Sequence, residues 1–219
     1  MFLGKIGSFS ICPRSSWGVE GFNEMSSIDS TWNFSGWLLS MKGYPRHYQP
    51  TITIDTNRQH AVLRSLGGAP DEKFIFTPER TWIERIDSSI KMDRTSPTLP
   101  SQAMFALHPR MISISHISSA THFGTTSRPP FASLAREHGQ IWRVLEVTYP
   151  DGCATHTKVQ KFYFDEEFML QREDCVTDVA GGVVVHYCLD PKEVGGIVFP
   201  MLTRVLRRDP ESDDQCQVR

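Results

Sequence analysis

Short strand-like runs, separated by connectors too brief to hold a helix, constrain this chain more than any other feature. "STWNFSGWLL" (30–39), "TITID" (51–55), "HAVLRSL" (60–66), "KFIFT" (73–77) and "TWIERI" (81–86) form a first set. "IWRVLEVTY" (141–149), "HTKVQKFYF" (156–164), "FMLQREDCVTDV" (168–179), "VVVHYCL" (183–189) and "GIVFPMLTRVLRR" (196–208) form a second. Linkers such as "TNRQ", "DEE" and "AGG" suit sequential antiparallel hairpins. A doubly wound nucleotide fold needs helices between its strands, so that class is excluded. The pairs Gly67-Gly68, Gly181-Gly182 and Gly195-Gly196 fit neither a G-x-G-x-x-G fingerprint nor a P-loop; Gly181-Gly182 reads as a hairpin turn within a four-stranded meander over 156–208, with turns near 165–167, 180–182 and 190–195.

Helix is scarce, with short candidates at 18–27 and 99–107. The Ser/Thr/His-rich stretch 108–130 has the length of a lid or loop. The expectation is a mainly β (α+β) chain, with a strongly curved antiparallel sheet around one or two short helices. At 219 residues it forms one domain, 1–219, with flexible ends at 1–16 and 209–219.

Strand alternation then assigns faces. A three-residue loop at Asp165-Glu166-Glu167 sets Phe164 opposite Phe168, Phe162 opposite Leu170, Gln160 opposite Arg172, Lys158 opposite Asp174 and His156 opposite Val176. A loop at Ala180-Gly181-Gly182 puts His186 opposite Val176 on that face, and Cys188 opposite Asp174. The result is a polar group, His156, Lys158, Gln160, Arg172, Asp174 and His186, beside Phe162, Phe164, Phe168 and Leu170. Small-molecule pockets are commonly built from apolar walls and a few convergent polar groups. A solvated sheet face with a Lys158–Asp174 cross-strand pair is the plain alternative. Trp32, Phe34, Trp37, Phe74, Phe76 and Trp82 supply further candidate walls.

The chemistry such a group offers is proton transfer. His156 and His186 titrate near neutral pH, Asp174 would orient a ring, and Arg172 would stabilise developing negative charge. Tyr187, with Tyr163, falls on the opposite parity and carries less weight. Zinc on His156, His186 and Cys188 is conceivable in ligand type but matches no known spacing, so no metal and no cofactor is expected. The net charge of −2 gives no pull toward nucleic acid, and the Arg204, Arg207, Arg208 cluster reads as a solvated strand end. Five cysteines without a CxxC suit a reducing, cytoplasmic compartment, and no run is long and apolar enough to cross a bilayer.

The segment "THTKVQKFYFDEEFMLQREDCVTDVAGGVVVHYCLDPKEVGGIVFPMLTRVLRR" resembles a group of uncharacterised proteins patterned T-H-x-x-x-Q-x-F-Y-F, L-x-R-x-D-Y, G-G-x-x-x-H-Y and G-I-x-x-P-T-x-R-R-V. His156, Gln160, Phe162, Tyr163, Phe164, Arg172, Asp174, His186 and Tyr187 match it, whereas Cys175, Pro191 and Met201-Leu202 depart from it. Such proteins look like relatives of the lipoprotein-carrier half-barrels of the LolA/LppX type. The resemblance implies a curved sheet wrapped around helices and enclosing an apolar cavity.

Two functions are therefore expected. One is a cofactor-independent isomerase, cyclase or lyase acting on a hydrophobic intermediate of specialised metabolism, such as a terpenoid or polyketide. His156, His186, Asp174 and Arg172 would be catalytic, and Lys158, Gln160, Phe162, Phe164, Trp32, Phe34, Trp82 and Tyr187 would bind substrate. The alternative is a non-catalytic lipid or hydrophobic-ligand carrier using the same cavity.

Overall fold

A computed structural model describes residues 2–11, 26–36, 45–55, 57–95, 133–137, 139–149, 157–176, 183–194 and 197–208. Its strands are β1 (Phe2–Ile11), β2 (Ser27–Ser35), β3 (His47–Tyr48), β4 (Thr51–Asp55), β5 (Ala61–Arg64), β6 (Glu72–Phe76) and β7 (Arg80–Arg85). They continue as β8 (Ile90–Thr95), β9 (Ser133–Glu137), β10 (Gln140–Thr148), β11 (Val159–Phe164), β12 (Leu170–Val176), β13 (Val183–Val194) and β14 (Ile197–Arg208). All pair antiparallel in one sheet ordered β8-β7-β6-β5-β4-β2-β1-β14-β13-β12-β11-β10-β9, with β3 on β2. Among the described residues the only helical element is a 3-10 turn, Leu66–Gly68. Of the expected helices, 99–107 and all but the last two residues of 18–27 lie outside the described residues, and Ser27 already begins β2.

The β-rich runs become strands because alternation buries one side of each. In β2, Ile28, Ser30, Trp32 and Phe34 are buried while their neighbours are not. Register carries this face across the sheet: Ile28 opposes Ile54, Ile54 opposes Ala61, and Ala61 opposes Phe76. Leu63 likewise opposes Phe74. These residues join Phe199, Met201 and Val205 of β14 in one apolar cluster. We call this side the core face. Gly67 and Gly68 take φ of 71° and 82°, a region where a Cβ is strained, whereas Gly181-Gly182 lies outside the described residues.

Two expectations change. Residues 2–11, placed in a flexible beginning, form β1 between β2 and β14 in the middle of the strand order. Its apolar spacing, Phe2 and Ile6 and then Phe9 and Ile11, resets across a register shift between Ile6 and Ser8, which hides the alternation. The meander over 156–208 is present as β11–β14. Its last turn lies after Val194 rather than at 190–195, because Asp190 takes a positive φ of 54° and the strand continues through Pro191. Pro191 pairs with Pro200, so the two missing N–H groups coincide at one point of the ladder.

Candidate functional site

The β11–β12 turn decides which side chains meet. Its Asp165 carboxylate accepts hydrogen bonds from the Glu167 N–H at 3.1 Å, the Met169 N–H at 2.8 Å and the Gln171 amide at 2.6 Å. Phe168 sits at φ 61°, and its ring lies under the Arg143 guanidinium at 4.4 Å. The loop therefore falls at 166–168, one residue later than expected, and a bulge follows between Tyr163 and Phe164. Gln160 comes to oppose Cys175, three positions from Arg172, and Phe162 opposes Glu173. An odd displacement exchanges the faces.

On the next pair Val176 opposes Val183 and His186 opposes Glu173. The expected three-residue glycine loop lies within 177–182, outside the described residues. The polar set read from the sequence is thereby split. His186 and Gln160 lie on the core face, at 0% and 1% exposure, with Glu173 and Cys175 between them. Arg172, Asp174 and Tyr187 lie on the reverse face with Tyr163. Lys158 is exposed beyond the start of β11, and His156 lies outside the described residues. Of the expected walls, Trp32, Phe34, Phe74, Phe76 and Phe162 are buried on the core face. Phe164 shares its parity but is half-buried. Trp82 opposes Ile75 on the reverse face, stacked under Arg80 at 4.6 Å, and Trp37 lies outside the described residues.

On the core face, then, an apolar surface meets a polar island. His186 opposes Val205 of the apolar cluster, and Cys175 opposes Val184, which packs against it. Among the described residues the Gln160 side-chain amide has no hydrogen-bond partner on either atom. Burial, with the charge of Glu173, pushes the Cys188 thiol up, so it stays protonated as a small apolar group. Glu173 and Cys175 are what parity reasoning missed. Their i, i+2 spacing was visible, but only the register brings them to His186.

The reverse face holds a second, structural network. Arg172 donates to both Asp174 oxygens, at 2.6 Å from Nε, and to Glu137. The Tyr187 hydroxyl donates to the same Glu137, and the Tyr163 hydroxyl to Asp174 at 2.9 Å. Arg172 also lies over the Tyr163 ring at 4.2 Å, and Trp142 meets that ring edge-on at 6.5 Å. Burial alone lowers the guanidinium pKa, but hydrogen bonds and charge from Asp174, with Tyr163 and Glu137, carry it above its usual value.

Desolvation, then the Asp174 charge, pushes the Tyr163 phenol up to about 12. Unfolded tyrosine ionises near pH 10, so between pH 10 and about 12 the unfolded chain binds fewer protons at this site and stability falls as pH rises. Denaturant titrations across that window should show the fall, and Tyr163→Phe should flatten it.

No protein-family model matches the chain, and no curated protein matches it. Among solved structures it is similar to a DUF1329 family protein from Desulfovibrio piger, with TM-score 0.44 and 13% identity over 94% of this chain and 78% of that one. It is similar to a LolA superfamily protein from Nitrosomonas europaea, with TM-score 0.36 and 12% identity over 97% and 79% of the two chains. An outer membrane lipoprotein-sorting protein domain from Vibrio parahaemolyticus follows, with TM-score 0.35 and 8% identity over 97% and 87%. One of these structures carries the superfamily name of the LolA-type resemblance read from the sequence.

The expectation of a cofactor-independent isomerase, cyclase or lyase is corrected. The expected catalytic group does not converge, since Arg172 and Asp174 are committed to each other on the face opposite His186.

Proposed function

We propose that the protein is a non-catalytic binder of a hydrophobic small molecule carrying one polar end, held against the core face of a sheet curved into a half-barrel. One observation carries this reading. The Gln160 amide is buried and, among the described residues, without a hydrogen-bond partner, beside Phe162 and on the face that leads to the apolar cluster. A buried amide in that state costs about 1–3 kcal/mol. A ligand whose carboxyl, hydroxyl or amide end reaches it recovers that cost, while its apolar body is held by contact with the aromatic wall. The LolA superfamily protein and the lipoprotein-sorting domain are in keeping with such a partner. Among the described residues no helix is long and apolar enough to cross a membrane.

The test is extraction and mass spectrometry of what copurifies, followed by titration of a medium-chain fatty acid and its methyl-terminated alkane with tryptophan fluorescence as readout. The fatty acid should bind at least about tenfold more tightly, the worth of one hydrogen bond to a buried group. Gln160→Leu should erase that preference and stabilise the ligand-free protein. Equal affinity of fatty acid and alkane for the unaltered protein would remove Gln160 from recognition.

A further inference from the structure

The polar island also holds a donor set that the hydrophobic-ligand reading does not use. Glu173 and Cys175 alternate on β12, and His186 stands directly opposite Glu173 on β13. One ligand atom from each lies within 4.8 Å of the other two, and all three side chains are buried. We propose that Glu173, Cys175 and His186 form a binding site for a thiophilic divalent cation, zinc above all.

Geometry supports this first. Two nitrogen or oxygen ligands of a tetrahedral zinc, each about 2.1 Å from the ion, stand about 3.4 Å apart. His186 Nδ1 and Glu173 Oε2 are 3.9 Å apart, too long for a hydrogen bond and about half an ångström wider than the ion requires.

Charge supports it second. A carboxylate and a thiolate together carry two negative charges, which the interior tolerates only when compensated. A divalent cation compensates both, and neutral imidazole adds a third bond without further charge. As the sulfur–metal bond forms, the Cys175 S–H proton leaves to solvent, and nothing is oxidised or reduced. Donor type supports it third. Thiolate, imidazole and carboxylate together favour zinc over magnesium or calcium, which prefer all-oxygen shells.

The site differs from the set His156, His186 and Cys188 that the sequence suggested: His186 is retained, and Cys188, opposite Thr203, belongs to the adjacent row. The inference stands apart from the hydrophobic-ligand reading, and its test uses no such ligand. Protein stripped with chelator is titrated with cobalt(II), and absorption is followed for the thiolate-to-cobalt charge-transfer band. Zinc content after reconstitution is measured by elemental mass spectrometry. The expected result is one equivalent of either metal, and a charge-transfer band that zinc displaces. Cys175→Ser should abolish the band, His186→Gln should weaken affinity by at least about 100-fold, beyond the range seen when a supporting residue is removed, and Cys188→Ser should keep the band. Circular dichroism of the metal-free variants controls for folding. Absence of a band in the unaltered protein, or a band lost with Cys188→Ser and kept in Cys175→Ser, would overturn the assignment.

Discussion

Replacing Arg172 with methionine is expected to lower the free energy of unfolding by about 3–5 kcal/mol, the cost of breaking a buried ion pair from one side. The Arg172 side chain is 4% exposed, and its two carboxylate partners, Glu137 and Asp174, are 14% and 13% exposed. Without the guanidinium, two largely desolvated carboxylates lose the cation they share. Urea denaturation at neutral pH measures the effect. A loss under about 1 kcal/mol at neutral pH would place the network with ordinary surface pairs.

Phe34→Ala should cost about 3–5 kcal/mol, the range for truncating a fully buried phenylalanine. Phe34 is 0% exposed, its ring stacks on Trp32 at 5.7 Å and meets Tyr48 at 5.5 Å, and Tyr48 opposes it on β3. The measurement also separates packed core from cavity wall. A ring held on all sides loses its full packing on truncation, whereas a ring bordering a ligand space loses contacts on one side only. A loss near about 1 kcal/mol, with a gain in affinity for bulkier hydrophobic ligands, would assign Phe34 to the wall of the ligand space. The full loss assigns it to the core and moves the ligand toward Phe162.

Strand positions were legible because burial of one face writes alternation into sequence. β4 runs Thr51–Asp55 as read, and β6, β7 and β10 fall within a residue or so of their runs. β8 and β9 were not legible. Each pairs on one side only within the described sheet, and their exposed Ile90, Lys91, Met92, Asp93, Leu134 and Arg136 show no buried alternation. The site was half legible. His186, Gln160 and Phe162 were chosen correctly as residues that share a face, but their neighbours were not. A left-handed Phe168 and one bulge displaced the ladder by an odd number, and no composition rule locates a bulge. The Asp165 carboxylate, collecting two backbone N–H groups, is the local cause.

The place of β1 has a consequence for how the chain folds. Phe2 pairs with Val205, so the seam joining the strands from β2 to β8 with those from β9 to β14 is closed by segments roughly two hundred residues apart. Each half forms from neighbouring hairpins, which is fast, but the seam requires a long-range encounter whose entropy cost is met late. During synthesis β1 emerges first and its partner β14 last, leaving one edge of β1 without its strand until nearly the whole described chain is made. Unpaired edges of this kind invite other chains to pair with them. The residues that close the sheet are thus also where a nascent chain is most exposed to aggregation, and where a chaperone would do most to raise the yield.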